Sequence, residues 1–297
     1  AHTGKHLPLT HAPIRFASWM GGDRDGNPNV THAVTQEVLL LSRWQAAELY
    51  VRDIDKLRSE LSMEDCSPEL RAIVGTECRE PYRELLRGVR DRLAHTRDVI
   101  SAHLKGDMLD ETGIYRDTND LLEPLLLCYD SLIACNMPDI AHDELTNIIR
   151  RVSCFGLELL KLDIRQESTR HTQVLSAITQ YLQLEDYAQK NETQRQAFLL
   201  AELANPRPLL PRHLQSKPDA AIYDADVQET LATFATIAQQ PSSAMGAYVI
   251  SMAKQPSDVL AVMLLQKEAG VLHPMRVVPL FETLTDLDNA PACLDAL

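Results

Sequence analysis

Hydrophobic positions along the chain change period near residue 157. From Thr31 onward, Val34, Val38, Leu41, Ala47, Val51, Ile54, Leu57 and Leu61 mark one broad helical face. Thr31 is placed to cap that helix. A second stripe follows at Tyr82, Leu85, Leu86, Val89, Leu93 and Ile100. Ser67 ahead of Pro68 reads as a cap with proline at the first helical position. Further helices are expected around 119–135 and 142–155, the second stopped by Gly156. Their outer faces are strongly charged, as solvated faces are.

After Gly156 the pattern alternates. Leu159–Arg165 reads as a strand, and a helix follows with Ser168 as its candidate cap. A Thr193/Gln196 capping box opens the next helix, and Asn205–Leu214 is a proline-rich loop. A helix near 226–239 leads to the strand Ala247–Met252. Ser257 then caps a helix that Gly270 ends, and the strand Met275–Phe281 precedes a last helix. Near the start of the chain, Ile14–Trp19 is a short strand. Strands alternating with helices favour a parallel sheet with helices outside. The expected class is α/β and predominantly helical: a partial (β/α)8 TIM-type barrel, or an open sheet. A helical excursion would occupy about 32–156 and successive β/α units about 157–297.

Composition sharpens this in three ways. Hydrophobic residues make up 45% of the 297, enough for a sizeable core. A net charge of −13 argues against a nucleic-acid backbone or an anionic membrane as main partner, while leaving room for a small anion in a local arginine pocket. The six cysteines show no CxxC and no regular spacing, so reduced thiols of a cytosolic protein are expected. No signal peptide and no apolar run near 18 residues is visible. The chain opens at Ala1 without methionine and stops inside an expected helix, so a piece of something longer is expected.

Polar residues collect where three of the four strands end: Asp23, Arg24 and Asp25 past the first, Arg165 at the second, Glu282 at the fourth. In (β/α)8 barrels the chemistry sits at those ends. The stretch SWMGGDRDGNPNVT (Ser18–Thr31) holds three of the eleven glycines beside three charges. No Gly-Lys-Ser/Thr follows, so it is not a Walker loop. Asp23, Asp25 and Asn27 imitate a calcium loop, but Pro28 stands where glycine is needed and Val34 where glutamate is needed. A plain turn before a helix is one reading. A pocket mouth is the other, favoured by Trp19 and Met20, with Gly21 and Gly22 letting backbone N–H groups approach an anion. Arg165 could clamp a phosphate or carboxylate, or form a structural pair with an acid. Glu282 could bind a metal, act as acid or base, or cap a helix. His171 alone is a weak candidate.

Taken together, FASWMGGDRDGNPNVT, DIRQESTRH, AYVISMAKQPSDVLAV and VVPLFETL resemble the phosphoenolpyruvate carboxylase family, in order and spacing, across essentially all 297 residues. The bacterial form is nearest, and the match is to the central portion of a chain about three times longer. The resemblance implies a cytoplasmic, homotetrameric barrel enzyme. It would convert phosphoenolpyruvate and bicarbonate into oxaloacetate and phosphate with Mg²⁺ or Mn²⁺. It implies that Glu282 binds metal, that Arg165 lies beside the substrate phosphate, and that Trp19 and Leu280 keep CO2 from water. Gly21–Asn27 matches a family signature near the site. A catalytic histidine in an earlier segment, and an aspartate, a lysine and a mobile loop in later ones, are implied as well. The chain by itself is therefore expected to be inactive. Another phosphoenolpyruvate- or pyruvate-using barrel, and a non-catalytic helical interaction module, stay open as alternatives.

Overall fold

The computed structural model describes residues 7–209 and 223–297; part of the expected proline-rich loop lies outside them. The chain is α/β and mostly helical, and it divides into two compact units.

The first unit comprises Leu39–Leu160 with the described residues up to Phe16. It is built from most of α1 (His32–Glu60), α2 (Pro68–Val74), α3 (Pro81–Lys105), α4 (Thr118–Ala134), α5 (Pro138–Ile140) and α6 (Thr146–Phe155). Ser67 caps α2, its Oγ accepting from Leu70 N at 3.3 Å, with Pro68 at the first turn. Gly156 ends α6 at φ +57°, donating its N–H to Val152 O at 2.8 Å. The buried face of α1 runs through Ala46, Tyr50, Ile54, Leu57 and Leu61. Leu41 lies off it and is exposed, while Leu39 is buried: a 100° step per residue puts Leu39 on the same side as Ala46 and Tyr50. Tyr82, Leu86, Val89 and Leu93 of α3 close against Leu121, Leu125 and Leu132 of α4 in one core.

The second unit comprises Ala17–Val38 and the described residues of Lys161–Leu297. Four strands, β1 (Ala17–Ser18), β2 (Lys161–Glu167), β3 (Met245–Ser251) and β4 (Arg276–Pro279), form one parallel sheet in the order β1-β2-β3-β4. Parallel neighbours require crossovers, which the intervening helices supply. These are α7 (Ser168–Tyr181), α8 (Glu192–Ala204), α9 (Ala225–Ala238) and α10 (Pro256–Glu268); α11 (Leu284–Asp295) follows β4. Helix α7 packs on α9 and α10, and α10 packs on α8. β1 is much shorter than the expected Ile14–Trp19: only Ala17 and Ser18 pair with β2.

Three expected caps are displaced. Ser168 is already inside α7 and its hydroxyl donates to Met252 O at 3.0 Å. Helix α8 opens on an Asn191/Gln194 capping box, two residues before the expected Thr193/Gln196; Asn191 holds the extended backbone that a cap requires. Pro256 takes the first position of α10, so Gln255 is the cap, paired with Asp258, and Ser257 instead bonds Glu192 Oε2 at 2.6 Å. The six cysteines are all free. Among the described residues no helix is long and apolar enough to cross a membrane.

His171 of α7 is 1% exposed. Its Nε2 lies 2.8 Å from Tyr248 Oη, and its ring meets Phe234 edge-on. Burial pushes its pKa down to about 3, so it is a neutral core residue. The unfolded chain protonates it below about pH 6.5 and the folded chain does not. Protonation therefore favours unfolding as pH falls from there toward 3 and has no effect above that range. His171→Phe should cost about 1 kcal/mol at pH 7, because Tyr248 loses its partner. It should also remove an acid sensitivity of roughly 1 kcal/mol per pH unit between pH 6 and 4. Urea unfolding of both proteins across that range checks both effects.

Candidate active site

β2 carries the site because of its alternation. Leu162, Ile164 and Gln166 are buried, so Asp163, Arg165 and Glu167 point to the opposite side. The loop after β1 is tied to this strand by two backbone bonds: Arg165 N donates to Gly22 O at 2.9 Å, and Arg24 N to Arg165 O at 2.9 Å. Asp23 thereby pairs with Arg165 in parallel.

The glycines permit that approach. A Cβ on Gly22 would stand 2.0 Å from Asp163 O, and one on Gly21, at φ +78°, would stand 2.6 Å from Val38 Cγ2. Arg24 secures the loop from behind. It is 7% exposed; its Nη1 donates to Gly22 O at 3.1 Å and its Nη2 to Thr35 Oγ1 at 2.5 Å. Thr35 Oγ1 in turn donates to Gly21 O at 2.6 Å. Burial lowers the Arg24 pKa.

On the open side, Arg165 gathers three carboxylates. Nη1 is 3.2 Å from Asp23 Oδ2, and Nη2 is 2.7 Å from Asp25 Oδ2 and 3.4 Å from Glu282 Oε1. The guanidinium lies over the Trp19 ring at 5.5 Å. Burial alone would lower its pKa; the charges of Asp23, Asp25 and Glu282 outweigh this and raise it. Trp19 Nε1 donates to Asp163 Oδ2 at 3.1 Å.

Glu282 follows β4 but does not cap α11. That cap is Thr283, boxed with Asp286. Glu282 Oε2 instead accepts from Met252 N at 3.3 Å. Leu280 N continues the β3–β4 pairing to Ile250 O at 2.9 Å. Arg170 is turned elsewhere, onto Asp226, beside a cleft of about 350 Å³ that Gly26, Asn27 and Pro28 help to line.

The donor set near Arg165 is hard carboxylate oxygen, which suits Mg²⁺ or Mn²⁺. Among the described residues no group of three His, Cys, Asp or Glu is disposed to hold a metal. Glu282 contributes one carboxylate to that set. Sequence reasoning missed Asp163 and Met252. Asp163 was detectable two residues before Arg165, where a strand's period of two puts both on one side. Met252, at φ +57°, carried no signal, since a bulky residue in that conformation is unexpected.

Gly22→Ala should push β2 and the loop apart. The expected cost is about 1–3 kcal/mol of stability, an overpacking penalty borne by backbone. Thermal unfolding of the variant checks this; an unchanged midpoint would mean the loop is not held as described.

The sequence profile of phosphoenolpyruvate carboxylase matches residues 1–297. Phosphoenolpyruvate carboxylase of Acinetobacter baylyi is 58% identical over 296 residues, covering 100% of this chain and 33% of the relative. The Acinetobacter baumannii protein of the same name is 57% identical over 293 residues (99% and 33%), and that of Pseudomonas aeruginosa 56% over 295 (99% and 33%). The chain thus spans about a third of the length of these relatives. With its entire described sheet and loop inside that match, the chain belongs to the phosphoenolpyruvate carboxylase family.

Proposed function

We propose that this chain is the central part of an enzyme that carboxylates phosphoenolpyruvate with bicarbonate, giving oxaloacetate and phosphate. The observation that carries this is Arg165 in the carboxyl half of β2, poised between Asp23, Asp25 and Glu282 in a chain of this family. A bicarbonate oxygen attacks phosphorus, and the bond between phosphorus and the enol oxygen breaks. Carboxyphosphate and the pyruvate enolate result. Carboxyphosphate splits to CO2 and phosphate, and the enolate methylene carbon bonds to CO2.

Arg165 takes the phosphoryl oxygens. Its two Nη groups form a fork suited to bidentate contact, now shared among side-chain carboxylates that a phosphate can replace. Trp19, 46% exposed, and Leu280 offer apolar surface that keeps water from the enolate until CO2 is captured. Gly21, Gly22, Asp23 and Asp25 shape the loop at the substrate's edge, with Arg24 behind them. Glu282 would hold Mg²⁺ or Mn²⁺, which supplies Lewis-acid neutralisation of the charge that develops on oxygen.

The strand order supports a (β/α)8 barrel. A doubly wound sheet reverses its order at the ligand crevice, whereas β1-β2-β3-β4 runs on without reversal, and the polar cluster gathers Asp23 and Asp25 past β1, Arg165 in the carboxyl half of β2 and Glu282 past β4. Four such strands would be half of the closed barrel. The cytoplasmic homotetramer of the family belongs to the same proposal.

Arg165→Lys in the full-length enzyme should lower kcat/KM by at least about tenfold, roughly 1.4 kcal/mol, although charge is kept, because the fork is lost. Steady-state kinetics at saturating bicarbonate test this, and unchanged values would make Arg165 a structural pair. Glu282→Gln keeps shape and removes charge. It should weaken Mn²⁺ binding, read directly by electron paramagnetic resonance, and raise the metal concentration needed for half-maximal rate. Wild-type Mn²⁺ affinity in a well-folded variant would remove Glu282 from the metal site.

A further inference from the structure

The Asp163 carboxylate has a setting that packing alone does not require. β2 advances from Leu162 to Ile164 while β3 advances from Met245 to Tyr248, so β3 has one extra residue at this point. Such a bulge leaves a backbone N–H without its ladder partner. Asp163 Oδ1 accepts that N–H, from Ala247, at 2.7 Å. Gly246 makes room for it: a Cβ there would lie 2.1 Å from the same oxygen. The second oxygen, Oδ2, is left for Trp19 Nε1, at 3.1 Å. Trp19 in turn faces the Arg165 guanidinium. One carboxylate is therefore fixed by the sheet through one oxygen and presents the other to the indole.

We propose that Asp163 is a positioning residue that holds the Trp19 indole in place over Arg165, so that the apolar wall stays closed on the enolate. Asp163 acts here through Trp19, and so rests on the shielding role proposed above. An indole released from Oδ2 can turn on its two side-chain torsions and admit water. Enolate that gains a proton becomes pyruvate, while its carboxyphosphate partner still yields CO2 and phosphate. The signature is thus bicarbonate-dependent pyruvate formation at the expense of oxaloacetate.

Asp163→Asn is the informative change. Its Oδ1 can still accept from Ala247 N, which keeps the bulge, but its amide N–H then meets the Trp19 N–H, donor against donor. The full-length enzyme is compared as wild type, Trp19→Phe, Asp163→Asn and the double variant. The pyruvate-to-oxaloacetate ratio is measured, with thermal midpoints as the folding control. Both single variants should raise the ratio, Asp163→Asn by about three- to tenfold, the range of one lost hydrogen bond. The double variant should match Trp19→Phe alone. A wild-type ratio in Trp19→Phe would sink the shielding role itself, and the positioning role with it. A raised ratio in Trp19→Phe with a wild-type ratio in Asp163→Asn would overturn the positioning role alone. So would additive effects, or loss of folding on Asp163→Asn in both backgrounds, since either would put Asp163 to work through Ala247 instead.

Discussion

Two backbone hydrogen bonds, Arg165 N to Gly22 O and Arg24 N to Arg165 O, decide what the rest of the site can be. They make the loop after β1 a continuation of the sheet. Without them Asp23 and Asp25 would be ordinary loop residues, free to face water. With them, Asp23 is in register beside Arg165, and Asp25 lies two residues further along the same edge. The bonds form only because Gly22 has no Cβ to strike Asp163 O. Arg24 then fixes the arrangement from the buried side through Gly22 O and Thr35. Hydrogen bonds to neutral groups offset only part of the cost of burying that guanidinium, so its pKa falls. The loop therefore has two differently used cationic neighbours: Arg24 holds its backbone, and Arg165 holds its carboxylates.

That division sets the electrostatics. One Arg165 charge faces the three carboxylates Asp23, Asp25 and Glu282, so the cluster is net negative by two. Single exposed ion pairs are worth at most about 1 kcal/mol, and none of these three alone would fix the arginine. Together they outweigh its desolvation, which is why its pKa rises. A phosphate can join such a cluster only by displacing carboxylates from the fork. A divalent cation at Glu282 would make that exchange easier, because it withdraws one carboxylate from Arg165 and adds positive charge where the phosphate arrives.

Much of this was legible in the sequence, for physical reasons that differ by element. The alternation of Leu159–Arg165 pointed to β2, although the strand runs two residues later at both ends. The cap at Ser67 and the stop at Gly156 followed from local backbone chemistry and hold. The caps at Ser168, Thr193 and Ser257 failed because each hydroxyl had a nearby competitor. At α10, Pro256 fixed the first helical position; at α8, Asn191 was the stronger acceptor; at α7, the Ser168 hydroxyl found the Met252 carbonyl just past β3. Glu282 was visible as a carboxylate after an apolar strand. That Thr283, rather than Glu282, caps α11 follows the Thr-x-x-Asp spacing of Thr283 and Asp286, a capping-box pattern that the sequence reading passed over. The period of two put Asp163 on the side of Arg165, but its partners, Trp19 and Ala247, lie 144 and 84 residues away and left no local signal.

Met252 shows how the ends of the strands are locked together. It follows β3 directly, in the left-handed region at φ +57°, which costs a non-glycine residue about 1–2 kcal/mol. Its backbone groups account for that expense. The N–H points at Glu282 Oε2, past β4, and the carbonyl takes the Ser168 hydroxyl at the start of α7, past β2. A residue in the usual extended conformation would send one of these groups to the other side of the sheet. The strain is therefore held where three strand ends converge, and it fixes Glu282 relative to Arg165 without a covalent or metal link. Glycine at 252 would remove the strain but widen the range of backbone angles, and Glu282 would lose the defined donor that aims it. The arrangement favours a fixed carboxylate over a relaxed backbone.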